Sequence, residues 1–252
     1  MNRRTVFFFI ALAAIALSCA TARSVRGEQN PAFAKANEDY NAGRFQEAAD
    51  GYQSLVASGQ WSANLFYDLG NAWFRLGNFG EAILNYERAL ALDPHHPESD
   101  ANLRIARDEA RALELRTAGF LRYIETGTFT QYSVAASVAL WIVLFAAARL
   151  FFLRRRSAGL VALIVFSALI SSGSIYALYA LETGNKGKDL AIVTGKNIEA
   201  RLATADNARS ILALPPGSEI KVLSERGDWI YAALPNDLRG WIPATSIERV
   251  RL

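Results

Sequence analysis

The chain has 252 residues, 52% of them apolar, and a formal net charge of +3. That length leaves room for one or two small domains beside a membrane part, and so mild a charge gives no basis for nucleic-acid binding. From the N-terminus, residues 1–22 pair a basic start with an apolar core and end on Ala20-Thr21-Ala22, the pattern of a secretory signal cleaved after Ala22. Lipidation at Cys19, the only cysteine, and an uncleaved anchor are the alternatives. Cleavage after Ala22 removes that cysteine and with it any disulfide or thiol chemistry.

Residues 30–118 carry an internal repeat with a period of 34 residues, in which GRFQEAADGY from Gly43 aligns without a gap on GNFGEAILNY from Gly77. The second copy, NLFYDLGNAWFRLGNFGEAILNYERALALDP, resembles the tetratricopeptide repeat through Phe66, Leu69, Gly70, Trp73, Ala82, Tyr86, Ala89 and Pro94. Gly70 and Ala82 are small enough for the two helices of a pair to approach, Gly77 suits a left-handed turn, and Pro94 stops the second helix. The segment after Pro94 keeps helical spacing through Leu103, Ala106, Ala110 and Leu113 and reads as a capping helix. Two repeats and a cap stand at the low end of what makes a stable stack. In such a stack the first helix of each pair lines a concave groove. Spacing puts Phe33, Asn37 and Tyr40 there beside Tyr67, Asn71, Phe74 and Arg75, with the two asparagines placed to hold an extended peptide backbone. The cations with which such domains clamp a C-terminal carboxylate are absent, Phe33 and Glu98 standing in their places.

Residues 119–133, with Phe120, Tyr123 and Phe129, suit a connector at a membrane surface. Residues 134–153 and 160–181 are apolar runs of 20 and 22 residues, long enough at about 1.5 Å per residue to cross a bilayer. Arg154, Arg155 and Arg156 lie in the 154–159 loop between them, and arginine-rich short loops stay cytoplasmic. The chain on either side of this hairpin then lies outside the cytoplasm. Arg149 sits close enough to that loop to snorkel. Gly173, Ala177 and Ala180 offer a small-residue face to Ala135 and Ala139.

Past a polar linker at 182–189, residues 190–252 alternate short β-type runs with turns at PPG, ERGD and PND, which predicts five strands in a small barrel. The stretch LPPGSEIKVLSERGDWIYAALPNDLRGWIPATSIERV resembles a bacterial SH3-like domain. Val193 and Ser246 replace the tyrosines of a proline-helix site, which argues against that ligand and leaves Trp229, Tyr231, Trp241 and Pro243 as a surface for protein or cell-wall peptide. No phosphate loop, nucleophile elbow or metal-ligand spacing occurs, and the adjacent His95 and His96 lack further ligands. Neither catalytic residues nor a cofactor or metal is expected.

The expected architecture is a multi-domain membrane protein: an all-α tetratricopeptide solenoid, a two-helix transmembrane hairpin and a C-terminal all-β SH3-like barrel. This order resembles the BatE-type proteins of bacterial aerotolerance operons. The resemblance implies a non-catalytic scaffold of the cytoplasmic (inner) membrane, with both soluble domains periplasmic, working beside von Willebrand A-domain membrane proteins and a MoxR-type ATPase. Peptidoglycan binding through the SH3-like domain is the alternative.

Overall fold

A computed structural model describes residues 30–117, 119–153 and 157–251. The signal sequence at 1–22 and the arginines of the 154–159 loop fall outside the described residues. The first helices are α1 (Pro31–Asn41), α2 (Phe45–Ala57), α3 (Ala63–Arg75), α4 (Phe79–Leu92) and α5 (Pro97–Ala110). Their starts are set by local chemistry. The Asn30 side chain accepts from the Ala32 N–H with Pro31 in the first turn, and Ser62 Oγ accepts from the Leu65 N–H at 3.1 Å. Gly77 ends α3 with φ of 74°, a conformation without penalty only for glycine.

Helices α1 to α4 form two antiparallel pairs around Ala48, Ala49, Leu55, Leu65, Leu69 and Ala89. At Gly70 an added Cβ would stand 2.7 Å from the Tyr86 ring, so the close approach of α3 and α4 depends on that glycine. The cap differs from expectation. Helix α5 stops at Ala110, where Arg111 turns left-handed, and Leu113 leaves the helix to pack on the β-sheet core.

A short helix, α6 (Gly119–Glu125), precedes α7 (Phe129–Leu153) and α8 (Ala158–Thr183). Both long helices overrun the apolar stretches read from sequence. The N-terminal extension of α7 is secured by a reciprocal cap: Gln131 Oε1 accepts from the Thr128 N–H and Thr128 Oγ1 from the Gln131 N–H. Each is long and apolar enough to cross a membrane. Phe145, Phe166 and Leu169 are 63–66% exposed, an apolar surface that no soluble core helix would leave bare. The helices meet along Ala139 and Ala146 on one side and Ser167, Ser171, Ser174 and Ala177 on the other. Gly173 is not in this seam, because among the described residues nothing lies within 4 Å of where its Cβ would be. Serine takes its place, and Ser171 Oγ donates across to the Ala136 carbonyl at 3.3 Å.

The C-terminal part is a seven-stranded antiparallel sheet made of β1 (Leu190–Val193), β2 (Ile198–Arg201), β3 (Ser210–Leu214), β4 (Glu219–Arg226), β5 (Trp229–Ala233), β6 (Arg239–Pro243) and β7 (Ile247–Arg249). The strand order is β3-β2-β6-β5-β4-β1-β7, with β3 and β7 as free edges, so the ladder does not close into a barrel. The five expected runs correspond to β1, β4, β5, β6 and β7. Strands β2 and β3 went unread because IEAR and SILAL are only four and five residues long, and over so short a run periodicity does not separate strand from helix.

Strand β1 explains how the helices and sheet form one body. All four of its residues are buried: Ala191 and Val193 face the sheet core, and Leu190 and Ile192 face Ile83, Leu84 and Tyr86 of α4. A strand buried on both faces reads as a continuous apolar run, as this one does. The sheet therefore covers the side of α4 on which a further repeat would stack, and supplies the burial that two repeats lack. Each Leu or Ile side chain so buried contributes about 1.5–3 kcal/mol.

Candidate functional site

Two surfaces were singled out by sequence, and a third feature, the junction between repeats and sheet, was not. In the repeats, the 34-residue period is reproduced in side-chain geometry. Tyr52 Oη donates to Asn37 Oδ1 at 2.6 Å, and Tyr86 Oη donates to Asn71 Oδ1 at 2.7 Å. Phe33 packs on Tyr52 with ring centroids 5.8 Å apart, and Tyr67 packs on Tyr86 at 6.2 Å. Tyr40 meets Phe45 edge-on at 5.2 Å, and Phe74 meets Phe79 at 5.4 Å. Exposed Arg75 reaches back to the first repeat, its guanidinium 4.3 Å from the Phe45 ring centre.

Phe33, Asn37, Tyr40, Tyr67, Asn71 and Phe74 are thus half-buried, and each engages its own repeat. The asparagine oxygens are occupied by tyrosine hydroxyls, which fixes the amide orientation and turns the Nδ2 donors toward other acceptors. Sequence spacing missed Asn102 on α5, whose Nδ2 donates to Asn71 Oδ1 at 2.9 Å and extends the polar row onto the cap. It stands three residues short of the 34-residue equivalent of Asn71, so the period could not reveal it. Beside this row, burial raises the Asp68 carboxyl to about 6, against the pull of nearby His96. His96 is held as the cap of α5, its Nδ1 accepting from the Ser99 N–H, with the ring 5.2 Å from Tyr67.

This occupancy gives a stability prediction. Asn71→Ala strips the acceptor from the buried Tyr86 hydroxyl and from Asn102, whereas Asn37→Ala strips it from Tyr52 alone. Urea denaturation should show a loss of about 1–3 kcal/mol for Asn71→Ala and a smaller one for Asn37→Ala. Equal stability of Asn71→Ala and wild type would mean that the row is not held together by these bonds.

On the sheet, cross-strand register pairs Trp229 with Pro243 and Tyr231 with Trp241. These positions alternate with buried Ile230 and Ile242, so all four expected residues share the outward face of β5 and β6. The Tyr231 and Trp241 rings lie 5.1 Å apart, and Arg201 of β2 stands opposite Trp241. All four side chains are half-buried, leaving their rims to solvent.

The junction centres on Arg107 of α5. Its guanidinium bonds to both Glu87 of α4 and Glu219 of β4, with Glu114 at 3.4 Å. Glu87, Arg107 and Glu219 are at most 9% exposed. Glu219 Oε2 also accepts from the Leu115 N–H at 3.0 Å, and the Glu219 N–H donates to the Leu113 carbonyl at 2.8 Å. Burial and the neighbouring Glu87 carboxylate push Glu219 up to about 7, although Arg107 opposes them. A second contact joins Arg88 to Glu248 at 2.9 Å and to the Arg249 carbonyl at 3.0 Å. The only sequence signal of this junction was the charged pair Glu87-Arg88 set in the apolar helix α4.

The tetratricopeptide repeat family model matches residues 63–96, which are α3, α4 and the turn that follows. No curated protein matches the chain. The repeat match supports an interaction surface for other proteins.

Proposed function

We propose that the chain is a non-catalytic, membrane-anchored scaffold for protein–protein interaction, of the BatE type, taking partner segments into the repeat groove. The observation that carries this reading is the match to a tetratricopeptide repeat at residues 63–96, fused to two helices apolar enough to cross a membrane. The hairpin anchors the chain in the cytoplasmic membrane of a bacterium, and both soluble parts face the periplasm. The partners are membrane proteins with von Willebrand A domains that work with a MoxR-type ATPase. Because the repeats and the sheet are docked, groove and aromatic face are offered at a fixed separation rather than on independent tethers. A partner contacting both gains affinity without paying for the ordering of a linker.

The second reading is that the SH3-like sheet binds peptidoglycan. The outward cluster of Trp229, Tyr231, Trp241 and Pro243 favours it, since aromatic rims that meet solvent offer apolar contact and a polar handle to a sugar or peptide ligand.

Asn37 and Asn71 are poor probes of the groove because they hold their own repeats together. Arg75→Glu, at an exposed site, is the cleaner variant. In cross-linking and pull-down with the full chain in detergent, Arg75→Glu should recover less partner than wild type, and Trp241→Ala should show a smaller loss. Equal recovery by wild type and Arg75→Glu defeats the groove assignment. Co-sedimentation of the full chain with purified sacculi that is lost in Trp241→Ala would favour the second reading.

A further inference from the structure

Among the described residues, Asp68 of α3 is a half-buried carboxylate whose side chain has neither an ion pair nor a hydrogen bond. It belongs to the strip Asn64, Asp68, Asn71 and Arg75, whose spacing of four, three and four is one face of a helix. Its neighbours show where that strip looks. Asn71 is bonded to Tyr86 and to Asn102 of α5, and Arg75 reaches back to Phe45 of the first repeat. Asp68 therefore opens into the groove between the two repeats. Its charge is felt at both ends: burial first, and then Asp68, raise the Tyr52 phenol of the first repeat, while His96 at the cap draws the Asp68 carboxyl down.

The cations around this groove are engaged elsewhere. Lys35 and Arg44 are both held by Asp39 of α1, and the Arg75 guanidinium lies over the Phe45 ring. His96 has no ring nitrogen to spare, since Nδ1 accepts from the Ser99 N–H and Nε2 meets Asn64 Oδ1 at 3.2 Å. Burial without a countercharge is what raises Asp68 to about 6. A carboxyl raised on folding destabilises the fold once it ionises, so above that pH the chain carries a charge that works against its own stability. The asparagines on either side, Asn37 and Asn71, meanwhile have their oxygens taken and their Nδ2 donors turned outward.

We propose that the groove selects a partner segment carrying a lysine or arginine, whose cation is received by Asp68 while Asn37 and Asn71 hold the backbone on either side. This rests on the groove reading above and names the chemistry of what the groove takes. A basic side chain alone supplies the missing countercharge. An acidic residue would be repelled, and an apolar one would bury the carboxylate further with nothing to balance it.

The test uses the full chain in detergent and a degenerate library of capped nonapeptides, selected at about pH 7.5, where Asp68 is ionised, and read by mass spectrometry. Capping leaves side chains as the only source of positive charge. Lysine and arginine should be enriched roughly ten-fold over the input library, the scale of one charge-assisted hydrogen bond. Asp68→Asn, which keeps the size and shape, should erase that enrichment. The same variant should unfold at a higher urea concentration than wild type at about pH 7.5, by a margin that narrows as the pH falls toward about 4. For a selected peptide, wild-type affinity should rise between about pH 5 and about pH 7.5 and that of Asp68→Asn should not. A rise that survives in Asp68→Asn belongs to His96 and overturns the proposal. Retained peptides with no preference for basic residues, or a preference that Asp68→Asn keeps, overturn it and leave the groove reading standing. Retention of no peptide at all defeats both.

Discussion

Replacing Arg107 by alanine should destabilise the chain by about 3–5 kcal/mol, the usual cost of leaving buried charge without its partner. Glu87 and Glu219 would then face each other across the repeat–sheet junction with no cation between them. The loss is read as a lower urea midpoint of the full chain in detergent at neutral pH. Arg107 Nε is itself buried without a hydrogen-bond partner among the described residues, so the wild-type cluster already carries a desolvation cost. Removing all three charges together, as in Glu87→Gln, Arg107→Met, Glu219→Gln, should therefore recover most of the stability that Arg107→Ala loses. The pH dependence has a definite sign. Glu219 holds its proton more tightly when folded, about 7 against an ordinary value of 4.5. Its contribution is complete below about pH 4.5 and is lost as pH rises through about 7. Glu219→Gln should remove that slope. An Arg107→Ala chain within about 0.5 kcal/mol of wild type would show that apolar contacts alone hold the junction.

What the sequence revealed and what it hid divide along a physical line. The repeats were legible because their determinants are local: Gly70 against Tyr86, the left-handed Gly77, and the 34-residue period that Asn37/Tyr52 and Asn71/Tyr86 repeat as bonds. The outward face of β5 and β6 was legible because period-two alternation groups Trp229 with Tyr231. The docking of sheet on α4 was not, since it joins residues more than a hundred positions apart, as Arg107 and Glu219 are. Nor did helical spacing warn that Leu113 leaves α5, because an apolar residue in register serves a helix face and a sheet core equally well. The candidate groove suffered similarly: spacing placed Asn71 on a concave row but could not show its oxygen already taken by Tyr86 and Asn102.

Gly217→Ala should cost far more than Gly227→Ala, and the difference measures the repeat–sheet packing directly. Both glycines sit in turns of the sheet with positive φ, 86° and 56°, so each alanine bears the backbone penalty of about 1 kcal/mol. Only Gly217 has a neighbour. A Cβ there would stand 2.2 Å from Ile83 Cδ1 and 3.3 Å from its Cγ1, whereas nothing lies within 4 Å at Gly227. Ile83 is fully buried among Leu103 and Ala106 of α5 and Leu190 and Ile192 of β1, so its Cδ1 moves aside only by displacing packed neighbours. The Gly217 N–H is further pinned to the Val193 carbonyl at 2.6 Å, so the turn cannot slide away without breaking the edge of β1. Overpacking of this kind adds about 1–3 kcal/mol. Gly217→Ala should thus lose about 2–4 kcal/mol and Gly227→Ala about 1 kcal/mol, compared by urea denaturation of the full chain. Pairing Gly217→Ala with Ile83→Ala frees the space, and a double variant that loses less than the sum of the two single losses would place the clash at α4. Equal losses from the two glycine variants would mean that the sheet does not press on the repeats in solution, and the fixed separation of groove and aromatic face would go with it.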